Sequence, residues 1–294
     1  MNNKNEHLVS IIIPTYNHAS YLGRALQSVI NQTYTDWEAI VIDNHSTDKT
    51  DQVMLKFKDP RIKYLKINND GIIAKSRNKG IKVAKGKWVA FLDSDDWWTS
   101  DKLKMCLSFA NENVDLIYHD LKIEYDNKKF FRRKKIKTRK LKKPILIDLL
   151  VAGNAIGNSS VVLRKKILER IGGIDESKEL VAAEDYNAWL KISQLTDQFC
   201  YLPMKLGYYL IHSQSISKKN MSLPVRNVVR KFMSELNRKQ KIKLEANLRY
   251  LSGRFYYLNH NFEKSKKDLF FTLCHGFIHL RFRALLMIFI MILR

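Results

Sequence analysis

Trp88-Val89-Ala90-Phe91-Leu92-Asp93-Ser94-Asp95-Asp96 decides how this chain is read: an apolar run that predicts a buried strand ends directly in three carboxylates. A strand covered on both faces carries no Asp in its middle. Its carboxyl end does, because open α/β sheets bind ligands there. Asp93 and Asp95 are two residues apart, so on an extended backbone they point the same way. Such a pair suits one hard divalent cation and leaves positions open for phosphate. Taken alone, it reads more simply as a solvated turn capping a helix that starts near Asp101. The surrounding pattern decides between the two.

Outward from this stretch, the first third alternates strand and helix. Residues 9–13 form a short apolar run, and Leu22, Ala25, Leu26, Val29 and Ile30 follow at helical spacing. Residues 39–42 and 62–67 predict two further strands, 73–84 a helix stopped by Gly86, and 88–92 the fourth strand. Strands separated by helices imply parallel βαβ units and a doubly wound sheet. Polar clusters follow the first, second and fourth strands, so they gather on one edge. That coincidence points to a nucleotide site.

Further along, a helix is expected over 145–152 and a strand over 159–163. An amphipathic helix opens at Glu184-Asp185, where acidic residues also suit a helix N-terminus for dipole reasons alone. From 226 onward the pattern is helical, with 248–258 and 269–273 predicting a helical hairpin.

Composition narrows the class. At 294 residues and 45% hydrophobic, the chain builds an ample core and is not disordered. Cys106, Cys200 and Cys274 are odd in number and far apart, which predicts reduced thiols in a cytoplasmic setting. Residues 1–13 lack the pattern of a signal peptide. The net charge is +23, and the basic loop 128–143 holds eleven basic residues and no acidic one. Anionic lipid, nucleic acid or a polyphosphate substrate would each answer that charge, and so would a merely solvated loop.

The ordered motifs resemble those of family 2 glycosyltransferases of the GT-A fold. They are Val9-Ser10-Ile11-Ile12-Ile13-Pro14-Thr15-Tyr16-Asn17, Ser28-Val29-Ile30-Asn31-Gln32-Thr33 and Val41-Ile42-Asp43-Asn44-His45-Ser46-Thr47-Asp48, then Ala74-Lys75-Ser76-Arg77-Asn78-Lys79-Gly80. Phe91-Leu92-Asp93-Ser94-Asp95-Asp96, Gly172-Gly173-Ile174-Asp175 and Glu184-Asp185 continue the series. Each is weak alone; seven in order are strong, and they span about 8–215.

The resemblance implies an α/β fold of GT-A type, a Rossmann-like sheet with helices on both faces and a C-terminal helical extension. It also implies an inverting enzyme that moves a sugar, most simply a hexose, from a nucleoside diphosphate to a glycan hydroxyl. A divalent metal ion, Mn2+ or Mg2+, would stabilise the leaving diphosphate. Asp95 would ligate it, with Asp93 reaching the ribose or a metal-bound water and His212 approaching the metal or diphosphate. Pro14, Tyr16, Asp43 and Asn44 would lie near the nucleotide. Arg77 would contact the diphosphate or nucleotide, unless it is a surface charge. Asp185 would be the general base. Many family members carry two consecutive aspartates where this chain has Asp43-Asn44. An asparagine oxygen accepts the N3–H of uracil and of thymine alike, so UDP is expected and dTDP is the alternative.

The tail adds an uninterrupted apolar run over 284–293, flanked by Arg281, Arg283 and Arg294. Ten residues are too few to span a bilayer, which takes ~20. The run suits either a helix lying in the membrane interface or a buried core or oligomer helix. The chain thus divides into 1–120 for the nucleotide sugar, 121–220 for the acceptor, and 221–294 as a helical region. The expected partners are a nucleotide-sugar donor, a glycan or lipid-linked acceptor and an anionic membrane surface, in surface polysaccharide synthesis at the inner face of a bacterial plasma membrane. Nucleic acid is not expected, because no zinc motif, RNP segment or recognition helix is present. A catalytically idle glycan-binding protein is disfavoured by the intact Asp93, Asp95 and Asp185.

Overall fold

A computed structural model describes residues 8–126, 138–213, 215 and 219–293, so most of the basic loop, 128–137, lies outside the described residues. The chain runs β1 (Val9–Thr15), α1 (Ala19–Ile30), β2 (Trp37–Asp43), α2 (Thr50–Met54), β3 (Ile62–Lys66), α3 (Ile73–Val83), β4 (Trp88–Phe91), β5 (Trp97–Trp98), α4 (Lys102–Leu107) and β6 (Leu116–Tyr125). There follow α5 (Ile145–Ala152), β7 (Val162–Arg164), α6 (Lys165–Arg170), α7 (Glu184–Leu195), β8 (Phe199–Ile211), α8 (Ser222–Arg230), α9 (Arg238–Leu258), α10 (Phe262–His275) and α11 (Ile278–Ile292).

Two compact units form. The first comprises 1–140, 155–178 and 191–213; the second comprises 141–154, 179–190 and 214–294. They do not follow the three consecutive segments read from the sequence, because 141–154 and 179–190 fold with the C-terminal helices.

The first unit holds one eight-stranded sheet in the order β3-β2-β1-β4-β7-β6-β8-β5. Its first four strands are parallel, as the βαβ pattern predicts. Beyond β4 the sheet is mixed: β7 is antiparallel to β4 and β6, while β6 and β8 are parallel. Every residue of β1 and β2 is buried, which explains their continuous apolar runs. On α1, Leu22, Ala25, Leu26 and Val29 repeat at i, i+3, i+4 and i+7 and are fully buried in the core beside Trp37, Trp88 and Cys106. Each such side chain contributes roughly 1.5–3 kcal/mol of burial. Gly86 is required before β4: a Cβ there would lie 2.5 Å from the Leu8 carbonyl oxygen.

Two local expectations change. The 159–163 strand begins as a single 3-10 turn, Asn158–Ser160, and only β7 joins the sheet. More important, β4 stops at Phe91. Residues 93–96 close a turn through Asp96 N–H to the Asp93 carbonyl at 2.9 Å. The alternation argument for Asp93 and Asp95 therefore fails, because the backbone between them is not extended.

The second unit is helical. α9 starts with a capping box between Asn237 and Gln240. It pairs with α10 as the expected hairpin, Gly253 lying against Leu269. Two buried hydroxyls tie the pair, Ser265 donating to the Gly253 carbonyl (2.9 Å) and Thr272 to that of Ala246 (3.1 Å). The tail is a core helix along one edge. One edge of α11, Leu280, Ala284, Ile288 and Met291, is buried with Tyr250 and Leu269. The other edge exposes Ile278, Phe282, Leu286, Phe289 and Leu293, Phe282 at 70%.

Candidate active site

The strand register builds the site edge. Thr15 pairs with Asp43, so β1 and β2 end level, and β4 ends three residues earlier, Phe91 opposite Ile12, so the chain after it starts beside the last residues of β1. The loops after β1 and β2 then clasp each other. Asn17, at φ 51°, accepts from the Thr47 N–H (2.8 Å), and its own N–H donates to Ser46 Oγ (2.8 Å). Asp48 accepts from Ala19 N–H (2.9 Å) at the start of α1 and from Thr50 N–H (3.0 Å) at the start of α2.

Much of this polar motif is thus occupied in shaping the edge. Asp43, expected near the nucleotide, has no exposed surface. Its carboxylate accepts from Ser46 N–H (3.1 Å), Ser46 Oγ (2.5 Å) and Tyr64 Oη (2.7 Å). Burial, followed by hydrogen bonds to Asp51 and Asp43, pushes the Tyr64 hydroxyl above its ordinary pKa. Pro14 is likewise a buried strand residue, because it is paired inside β1. Asn44 Oδ1 accepts from Asn69 N–H (2.8 Å). Tyr16, by contrast, is 53% exposed on the edge.

The carboxylate turn collects partners from distant parts of the chain. Asp93 Oδ1 accepts from Arg77 Nη2 and Asn158 Nδ2, each at 2.9 Å. Arg77 is 3% exposed on α3, so it is no surface charge. Asp95 Oδ2 lies 3.0 Å from His212 Nε2, just past the end of β8. Asp96 is not a cap: its buried carboxylate accepts from Ser159 Oγ (2.5 Å) and Leu210 N–H (3.0 Å), pinning the turn to β8. Burial raises the Asp96 carboxyl well above the usual range, and the charges of Asp95 and Asp93 add to it.

Residues the sequence did not single out complete the surroundings. His18 Nδ1 is hydrogen-bonded to Ser94 Oγ at 2.8 Å, and its ring meets those of Tyr21 and His212 edge-on. Tyr21 packs on His212 with ring centroids 4.8 Å apart. Burial lowers the His18 pKa. Arg24 lies over the Trp97 ring at 3.6 Å and donates to the Asp95 carbonyl at 3.3 Å. Asp93 Oδ2 and Asp95 Oδ1 have no hydrogen bond among the described residues. These hard oxygens, with His212 beside them, fit a divalent cation. No group of three ligating side chains is preassembled among the described residues, so such an ion would take part of its shell from phosphate oxygens and water. Asp185 belongs to the second unit, in the first turn of α7, half-buried, its carboxylate accepting from the Tyr186 N–H at 2.6 Å.

A strand-end carboxylate turn at the edge of four parallel strands agrees with the family comparison, in which the model for glycosyl transferase family 2 matches residues 10–172. The chain is a family 2 glycosyltransferase. A relative in Escherichia coli, UDP-Glc:alpha-D-GlcNAc-diphosphoundecaprenol beta-1,3-glucosyltransferase WfgD, is 37% identical over 191 residues, 64% of this chain and 70% of its own length. Among solved structures, this glycosyltransferase shares its fold with Staphylococcus aureus TarS 1-349 in complex with UDP-GlcNAc. The TM-score is 0.63 at 22% identity, over 90% of this chain and 80% of that one. The mannosyltransferase PcManGT of Pyrobaculum calidifontis, in complex with GDP-Man and Mn2+, matches at a TM-score of 0.63 and 18% identity, over 95% and 78%. The family match covers Asp43, Arg77, Asp93 and Asp95 and ends before Asp185 and His212.

Proposed function

We propose that this glycosyltransferase moves a sugar from a UDP-sugar, with inversion, to a hydroxyl of a lipid-linked glycan during surface polysaccharide assembly. The observation that carries the reading is the carboxylate turn of 93–96 at the carboxyl ends of β1, β2 and β4. The likeness to WfgD supports this donor and acceptor class. In the reaction, the acceptor oxygen attacks the anomeric carbon from the face opposite the diphosphate. The carbon–oxygen bond to the diphosphate breaks, and the hydroxyl proton passes to the Asp185 carboxylate. Asp95, His212 and Asp93 would hold the divalent ion, which supplies charge stabilisation to the departing diphosphate. Arg77 orients Asp93. A dTDP donor is the second reading, because an asparagine oxygen at Asn44 would accept the N3–H of uracil and of thymine alike.

We place the enzyme peripherally at the inner face of the plasma membrane. No described helix is long and apolar enough to cross a membrane. The exposed edge of α11, Arg281, Arg283 and the absence of any acidic residue over 269–294 support an interfacial contact. The test is transfer from a panel of UDP-, dTDP- and GDP-sugars to a synthetic GlcNAc-diphospho-lipid in the presence of Mn2+. We expect a UDP-sugar to react and the product to carry the inverted anomer by NMR. Retention of configuration, or no transfer from any donor, would overturn the proposal.

A further inference from the structure

We infer that the helical second unit has a binding site of its own for an anionic amphiphile, the phosphorylated head and first apolar units of a polyprenyl-type lipid. A cavity of about 800 Å³ opens between α8 and α9, with Phe271 of α10 on its wall. Val229, Met233, Ile242, Leu244 and Leu248 give it an apolar wall, Val229 and Leu248 being buried. Four cations, Arg226, Arg230, Arg238 and Lys241, line the same cavity.

One carboxylate lines it, and that carboxylate is occupied. Glu245 accepts from Arg226 at 2.9 and 3.1 Å and from Arg249 at 3.0 Å. Arg230, Arg238 and Lys241 have no carboxylate partner among the described residues. Three unpaired cations around an apolar hollow repel one another and favour a ligand that brings negative charge. The walls reward an apolar chain on that same ligand. Phosphate or diphosphate suits the cations, arginine most of all, through charge-assisted hydrogen bonds. The volume lies in the ~300–1,000 Å³ range of small-molecule sites, enough for the head and a few isoprene units. A nucleic-acid strand would ask for stacking platforms along an open groove, and Phe271 is the one aromatic on the cavity.

The inference rests on the reading that the acceptor is lipid-linked, and every residue of the cavity belongs to the second unit. The test is calorimetric titration of the full chain with farnesyl diphosphate below its micellar concentration, in EDTA. Inorganic diphosphate and farnesol serve as the charge-only and chain-only arms. Farnesyl diphosphate should bind at least tenfold tighter than either arm, and UDP should not displace it. The exposed-cation variant R230Q/R238Q/K241Q should bind it at least tenfold more weakly, while its melting temperature and UDP-sugar hydrolysis match the parent. Equal binding of all three probes, displacement by UDP, or an unchanged triple variant would overturn the inference. A parent that binds farnesyl diphosphate yet neither binds nor hydrolyses any nucleotide sugar would sink the proposed donor chemistry while supporting the cavity.

Discussion

Lys102 offers a sharp test of the electrostatics behind the carboxylate turn. It stands at the first position of α4 with no exposed surface. Its ammonium lies 3.6 Å from the Trp98 ring centroid and has no hydrogen-bond partner among the described residues. Trp98 in turn donates from Nε1 to the Ser159 carbonyl at 2.7 Å, so the charge sits one layer behind Ser159 and Asp96. Burial pulls the Lys102 pKa from 10.5 down to about 8. That gap corresponds to about 3 kcal/mol of folding free energy withheld while the group is charged. Lys102→Met keeps the length and removes the charge, but also forfeits a cation–π contact worth ~0.5–2 kcal/mol. A net stabilisation of about 1–3 kcal/mol at pH 7 is expected in urea denaturation.

The sign of the pH dependence follows from the depressed value. Between pH 8 and 10.5 the unfolded chain still binds the proton that the folded chain has lost, so parent stability rises with pH across that window relative to the variant. The difference between the two proteins should be full below pH 8 and vanish above 10.5. A variant less stable than the parent at pH 7, or a difference independent of pH, would refute the reasoning.

Asp95→Ala should abolish metal-stimulated UDP binding, measured by calorimetry, while the fold survives by circular dichroism. Asp185→Asn keeps shape but cannot take the proton, so transfer should fall by ~10²–10⁴ with donor affinity nearly unchanged in initial-rate assays. Gly86→Ala drives a Cβ into the Leu8 carbonyl and the Ser10 nitrogen, at 2.5 and 2.7 Å, and should cost at least ~1–3 kcal/mol in urea denaturation. Phe282→Ser with Phe289→Ser alters only the exposed edge of α11. Co-sedimentation with anionic vesicles should drop in this variant at low salt, with no loss of melting temperature.

In the parallel half of the sheet β1, β2 and β4 were legible because they are buried and read as largely apolar runs, while β3 is only half-buried and carries Lys63 and Lys66. The mixed half was not legible. In β6, Lys122 and Glu124 interrupt the run after a register shift at Asp120; in β8, Pro203 and Lys205 do the same. The site divides the same way. The carboxylate turn was visible as a motif, but its partners were not visible as neighbours. Asp95 and His212 are 117 residues apart, and Asp96 and Leu210 are 114 apart; β8 brings both pairs together. Ser94 sits inside the carboxylate motif without a signal of its own, and His18 and Ser159 carry none beyond being polar. Asp43 shows the opposite failure: its motif is conspicuous, yet its carboxylate holds the loop that follows it.

The second unit is assembled from three separate stretches of chain, and this decides how the enzyme can be dissected. A shortened protein ending at residue 213 would look like a clean removal of the C-terminal helices. It would instead strand α5, whose Val151 carbonyl accepts from Asn247 of α9 and whose Leu149 and Leu150 are fully buried. Exchanging this unit for a relative's would therefore need five junctions, at both ends of 141–154, at both ends of 179–190 and at 214, moved as a set.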